Sequence, residues 1–374
     1  MRTFAFGRMG LLLLALFLML GRPLPAGAEE TKEAGESSLL KLETETGSDS
    51  LFSEGLGLKL VGEEVYKARL KSTQTFISKV TGEADKFIKR NVRAAYKSYL
   101  IPGLNQAVTK DAAGKIALCT GMVPQGLCFA YGGDYCLISA YCNCGFKHNS
   151  VIYVMDGKDK KLLTTLILDS SCHVGGIAAA GDYLWVCDSE KKALRAYKKS
   201  HITPVADKDY RYIRAAAVQE TDVIPSFMCS ANGYLYVGTF TSSALANSIS
   251  YYRVEEKEIK KAGRIIVEDV SCIQGISIRD DYMILTSSHG RNFSSQICIY
   301  KDEDGHFSED EKTYKSQDIR RIIYMPNMIE QCYIGSTYTY FLFESGARSY
   351  RNSLLIRPFD KFIRFKNKRL GIKK

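Results

Sequence analysis

Five phrases spaced about fifty residues apart constrain this chain more than any other feature: VPQGLCF (123–129), VGGIAAA (174–180), PSFMCSA (225–231), IQGISIR (273–279) and IEQCYIG (329–335). One column through them holds Gln125, Gly175, Ser226, Gln274 and Glu330, at steps of 50, 51, 48 and 56 residues. A second column of Tyr135, Tyr183, Tyr234, Tyr282 and Tyr338 follows the first by eight residues, or ten in the first unit. Each tyrosine opens an apolar strand: YCLISA, YLWVCD, YLYVGT, YMILTS and, from Tyr340, YFLFES. Alternating third strands follow in SVIYVMD, ALRAYKK, SISYYRV, QICIYKD and SLLIRPF, and fourth strands in KKLLTTLIL and KKAGRIIV.

Four short strands repeated every fifty residues form the blade of a β-propeller, because a small twisted sheet buries its faces only by stacking on like sheets around an axis. The expectation is an all-β protein: a five-bladed propeller over 114–360, with six blades as the alternative. The fifth unit shows no evident fourth strand, and GKIALCTG (114–121) is the candidate to supply it and close the ring.

The flanks read differently. Residues 1–28 combine Arg2 and Arg8, the ten-residue run LLLLALFLML and Ala26-Gly27-Ala28, the pattern of a signal peptide. The run is too short for a stable membrane span, so the expectation is an exported protein, secreted or at the cell surface, without a transmembrane anchor. Residues 29–61 read as an acidic flexible linker and 62–100 as an amphipathic helical segment, interrupted near Gly82, with YLIPGLN as its stop. The formal charge of +10 falls to +7 without the leader's three arginines, and the stretch 357–374 carries eight Lys/Arg against Asp360 alone. Basicity confined to a tail (361–374) excludes a nucleic-acid-binding domain and leaves a local contact with an anionic surface as its functional reading.

Eleven cysteines in an exported chain invite a disulfide framework, yet Cys128, Cys187, Cys229 and Cys298 sit singly inside apolar strands, as small core residues do. Cys142, Cys144 and His148 are neighbours, but C-x-C with one His lacks the four-ligand spacing of a structural zinc site, so no metal is expected. GxSxG, HExxH, Walker-type and EF-hand motifs are absent from the sequence, and no cofactor is expected.

The phrases YLIPGLN, VPQGLCF, HVGGIA, YLYVGTF, QGISI, SSHGRN and LFESGARSYR resemble a family of exported bacterial propellers of largely unassigned function, over roughly 99–360. A more distant likeness is to the glutamine cyclotransferases, five-bladed proteins with a YESTG-like turn. LFESGARSYRNS resembles that turn, which implies an acid/base role for Glu344, although here the match falls in the last unit and Trp185 is the only tryptophan. Gluconolactonase-type propellers hold an axial cation through carboxylates and Asn, for which the column offers only Glu330.

If the first column lines the channel, Gln125, Ser226, Gln274 and Glu330 point toward the axis, where amides and a carboxylate either satisfy one another or bind a polar ligand. The second strands end in Tyr141, Asp188, Phe240, His289, Arg291, Glu344 and Arg348, and His173 precedes its inner strand. The reading that follows is a propeller binding a small polar ligand, peptide, glycan or cell-surface polymer at the channel mouth through Gln125, His173, Gln274, Arg291, Glu330 and Arg348. The alternative is a hydrolase or glutaminyl-cyclase-like enzyme working through Glu344 or His289 at the same face.

Overall fold

In the computed structural model the described residues are 82–145, 147–203, 210–242, 246–303, 307–351 and 358–373. The leader, the linker and residues 62–81 of the expected helical segment therefore lie outside them. Within the described residues no helix is long and apolar enough to cross a membrane.

The chain forms a five-bladed β-propeller. From the axis outward, blade one comprises Met122–Ala130, Tyr135–Cys142, Val151–Asp156 and Leu162–Ile167. Blade two is Ile177–Ala180, Tyr183–Asp188, Ala193–Lys198 and Ala217–Glu220. Blade three is Phe227–Ala231, Tyr234–Gly238, Ala246–Glu255 and Glu258–Glu268, and blade four is Ile273–Arg279, Tyr282–Ser287, Ser295–Lys301 and Ile319–Met325. Neighbouring strands within each four pair antiparallel. Each inner strand packs against the inner strands of the two adjacent blades, including blade five against blade one, so the ring is closed.

Blade five corrects two expectations. Its third strand is Lys361–Lys366 rather than SLLIRPF, and its outer strand is Tyr96–Leu100, which pairs with Lys361–Lys366 from the N-terminal side. GKIALCTG does not close the ring; Ile116–Cys119 pairs instead with Ala107–Lys110 in a separate hairpin. The YKSYL segment reads as helix because Ala95 and Tyr99 continue the three- and four-residue apolar spacing, but it pairs along its whole length as an edge strand, with Tyr99 stacked on Phe362 at 5.3 Å. The propeller thus runs past 360. The expected basic tail is part of the domain, with Leu370 and Ile372 buried against blades four and five.

The helical expectation survives as Gly82–Val92, whose Ala84, Ile88 and Val92 recur every four residues and enter the same cluster. Glu83 and Asp85 in its first turn and Lys89 and Arg90 in its last complement the helix dipole. The Tyr96 hydroxyl bonds to Asp85, fastening the helix to the closing strand.

The core is segmented. Five apolar clusters occupy the five interfaces between blades: Leu137 with Tyr197 between one and two, Trp185 with Tyr252 between two and three, Tyr236 with Leu285 between three and four, Ile284 with Phe341 between four and five, and Ile138 with Leu342 between five and one. Glycines let the blades converge near the axis: a Cβ on Gly175 would lie 2.1 Å from the Ser226 carbonyl oxygen. None of the eleven cysteines is in a disulfide, and Cys128, Cys187, Cys229 and Cys298 are buried in strands as expected.

Candidate functional site

The inner strands all run in one direction, so their first residues and the loops leaving the second strands meet at one mouth of the channel. Three inner strands carry a register irregularity near that end: between Pro124 and Leu127, between Ile273 and Gly275, and between Ile329 and Cys332. Gln125, Gln274 and Glu330, three members of the first column, sit inside these bulges. A bulge inserts one unpaired residue and re-aims its side chain, which is how a ladder strand presents polar groups to an axis.

Gln125 and Glu330 converge with Glu344, which leaves the second strand of blade five. The Gln125 Nε2 donates to Glu344 Oε2 at 3.0 Å. Glu330 is 2% exposed and hydrogen-bonded to Glu344. Burial, followed by the charge of Glu344, raises the Glu330 pKa well above the carboxylate range, so Glu330 carries the proton and donates it to Glu344. Burial also raises the Glu344 pKa, to about 7, against the opposing influence of its bonds from Gln125 and Glu330, the Arg291 guanidinium and a bond from Tyr350. Two carboxyls therefore share a site as an acid and a base, and above about pH 7 they carry one negative charge between them.

Aromatic rings wall this pair. Tyr350 also bonds to Tyr141, and the Arg291 guanidinium lies 4.9 Å from the Tyr350 ring centroid. The His173 ring is 4.2 Å from that of Tyr141, and it is reachable from solvent yet enclosed by protein that pushes its pKa down to about 4. Glu344 is likewise enclosed but partly open. In the loops of blades three and four that face the same mouth, Ile224, Phe240 and Phe293 are exposed and form an apolar rim.

Of the expected residues, the fold thus gathers Gln125, Glu330, Glu344, Arg291 and His173. Gln274 is half-buried in its own bulge. His289 is exposed, with Nε2 at 3.5 Å from Ser287 Oγ, and Arg348 turns away to donate to Thr120 Oγ1 at 2.8 Å. Asp188 is structural: its Oδ2 accepts from Arg195 Nε at 2.7 Å in a buried ion pair. Tyr350 was not singled out by the repeat, because it lies in a short helical turn (Arg348–Arg351) beyond the strand positions that the repeat aligns.

Below the bulge layer, Gln331 reaches across the axis. Its Nε2 donates to the carbonyls of Met228 at 3.0 Å and Ile276 at 2.8 Å, joining blade five to blades three and four. Beyond it a cavity of about 270 Å³ opens toward the opposite mouth, lined by Phe129, Asn232, Arg279, Asp280 and Tyr333 among others.

The fold supplies a fourth donor that the C-x-C spacing lacks. The hairpin brings Cys119 to Cys142, Cys144 and His148, and the donor atoms of all four lie within 4.8 Å of one another. Sequence spacing hides this set because the fourth donor lies 23 residues upstream of Cys142.

No protein-family model matches the chain, and comparison with curated proteins gives no match. Among solved structures it is similar to the glutaminyl cyclase of Myxococcus xanthus, at 10% identity and a TM-score of 0.41, over 72% of this chain and 95% of that one. It is also similar to the PQQ-bound aldose sugar dehydrogenase of Streptomyces coelicolor, at 10% identity and a TM-score of 0.41, over 73% of this chain and 98% of that one.

Proposed function

We propose that this protein binds a small polar ligand at the channel mouth where the inner strands begin, with Glu344 accepting hydrogen bonds from ligand hydroxyl or amide groups. The proton-sharing Glu330–Glu344 pair carries the reading. Burying two carboxyls against the axis costs stability that amides or apolar side chains at the same positions would not, and such perturbed pairs concentrate at functional sites. Gln125 and Tyr350 orient Glu344, Arg291 offsets its charge, and the apolar rim supplies contact area for the rest of the ligand. A sugar or a short peptide meets both requirements.

A second reading, a hydrolase or cyclase, is favoured by one observation: a carboxyl titrating near 7 is suited to general acid/base work. In that reading Glu344 exchanges the proton, while His289 lies outside the hydrogen-bonded set. The leader-like residues 1–28 support an exported protein, which N-terminal sequencing of the mature chain checks.

The test is a ligand screen with sugars, glutaminyl peptides, lactones and esters, using Glu344→Gln as the control. Binding by the native chain that Glu344→Gln abolishes supports the proposal. Turnover that disappears in the same variant moves the assignment to the enzyme. Ligand binding that Glu344→Gln leaves intact removes the carboxyl pair from the site.

A further inference from the structure

We propose that Cys119, Cys142, Cys144 and His148 bind one zinc-class divalent metal ion as a closed, tetrahedral structural site at the rim of blade one. The inference is independent of the ligand reading above. Three soft thiolates and one imidazole are a donor set that tetrahedral zinc takes.

The distances fit. Cys119 Sγ lies 3.4 Å from Cys142 Sγ and 3.7 Å from Cys144 Sγ, and Cys142 and Cys144 are 2.9 Å apart. His148 Nδ1 is 3.3 Å from both Cys142 Sγ and Cys144 Sγ. A tetrahedron with ordinary zinc–sulfur and zinc–nitrogen bonds has edges of about 3.8 Å between sulfurs and about 3.6 Å from sulfur to nitrogen. Of these five edges only Cys142–Cys144 must open appreciably to admit the ion, and the sixth, between Cys119 and His148, is within 4.8 Å. None of these pairs approaches the ~2.05 Å of a disulfide.

The backbone is arranged around the sulfurs. Cys119 ends the hairpin of Ala107–Lys110 and Ile116–Cys119, Cys142 ends the second strand of blade one, and Cys144 and His148 lie in the loop before Val151. Gly121 brings turn and loop together: a Cβ there would lie 2.7 Å from the Cys144 Cβ, and its carbonyl accepts from Asn143 N–H at 2.8 Å. The Gly121 N–H also donates to Cys119 Sγ at 3.4 Å, a contact that supports a metal-bound thiolate from outside the coordination sphere. Four protein donors leave no open position, so the ion's role is to hold structure. It would tie the hairpin, which belongs to no blade, to blade one directly beside Tyr141 and the Thr120–Arg348 contact at the ligand mouth.

The experiment measures metal in the full chain, purified without chelator and also reconstituted with zinc under reducing conditions. The expected result is about one zinc per chain by elemental analysis, and visible ligand-field bands of tetrahedral thiolate cobalt on substitution with Co²⁺. Cys144→Ser and His148→Ala lower the bound zinc, whereas Cys298→Ser, which removes a buried thiol elsewhere, leaves it unchanged. A reconstituted native chain with no stoichiometric zinc overturns the proposal, as does a disulfide among Cys119, Cys142 and Cys144 found by mass spectrometry of the native protein. Equal metal content in the native chain and Cys144→Ser shows adventitious binding and overturns it too.

Discussion

The carboxyl pair makes stability depend on pH in a direction opposite to that of ordinary salt-bridged carboxylates. Glu344 is held at about 7 against an ordinary value of 4.5, and Glu330 is raised further by burial. Raised carboxyls keep their protons in the native state at pH values where the unfolded chain has released them. Between these two values the unfolded state therefore binds fewer protons, and stability falls as pH rises. At about 1.4 kcal/mol per pKa unit, Glu344 alone accounts for up to about 3 kcal/mol lost between pH 4.5 and about pH 7. Glu330→Gln with Glu344→Gln replaces both carboxyls by amides that hydrogen-bond without titrating. Urea unfolding at about pH 5 and about pH 8, followed by the fluorescence of the fully buried Trp185, compares the two proteins. Over that interval the native chain is expected to lose about 2–3 kcal/mol more than the double variant through Glu344 alone, with a further loss from Glu330. Equal pH slopes in the two proteins would refute the shared-proton assignment.

Two further perturbations test the scaffold. Asp188→Ala leaves Arg195, itself 6% exposed, with only Asp169 at 3.5 Å, and should cost about 3–5 kcal/mol in unfolding free energy, while an Asp188→Leu/Arg195→Met pair recovers most of it. Beginning the chain at Ile101 removes Tyr96–Leu100 and exposes the edge of Lys361–Lys366. A lower melting temperature or concentration-dependent association is expected, restored by a peptide of residues 82–100; a monomer of unchanged melting temperature would contradict ring closure by that strand.

The blade architecture was legible because each unit repeats a tyrosine, an apolar strand and a polar column at a fixed interval, and repetition survives where single-strand patterns are ambiguous. The candidate site was legible where it coincided with that column: Gln125 and Glu330 occupy repeat positions, and Glu344 ends a repeat strand. Tyr350 broke from the pattern, since it lies in the Arg348–Arg351 turn, beyond the strand positions that the repeat aligns. The closing strand was hidden for another reason. Tyr96–Leu100 pairs with a segment some 265 residues away, and such pairing leaves no mark on five residues whose spacing also suits a helix. Cys119 was overlooked likewise, because its proximity to Cys142 is made by a hairpin folding back and not by spacing. His289 shows the converse: a repeat position beside a glycine turn need not face the axis.

The two ends of the channel offer competing sites, one at Glu344 and one in the 270 Å³ cavity beside Arg279. Calorimetric titration of a ligand from the screen into the native chain, Glu344→Gln and Arg279→Ala distinguishes them. Binding at Glu344 requires affinity weakened about tenfold or more by Glu344→Gln and unchanged by Arg279→Ala. Loss of affinity in Arg279→Ala with Glu344→Gln unaffected would place the ligand at the opposite mouth and contradict it.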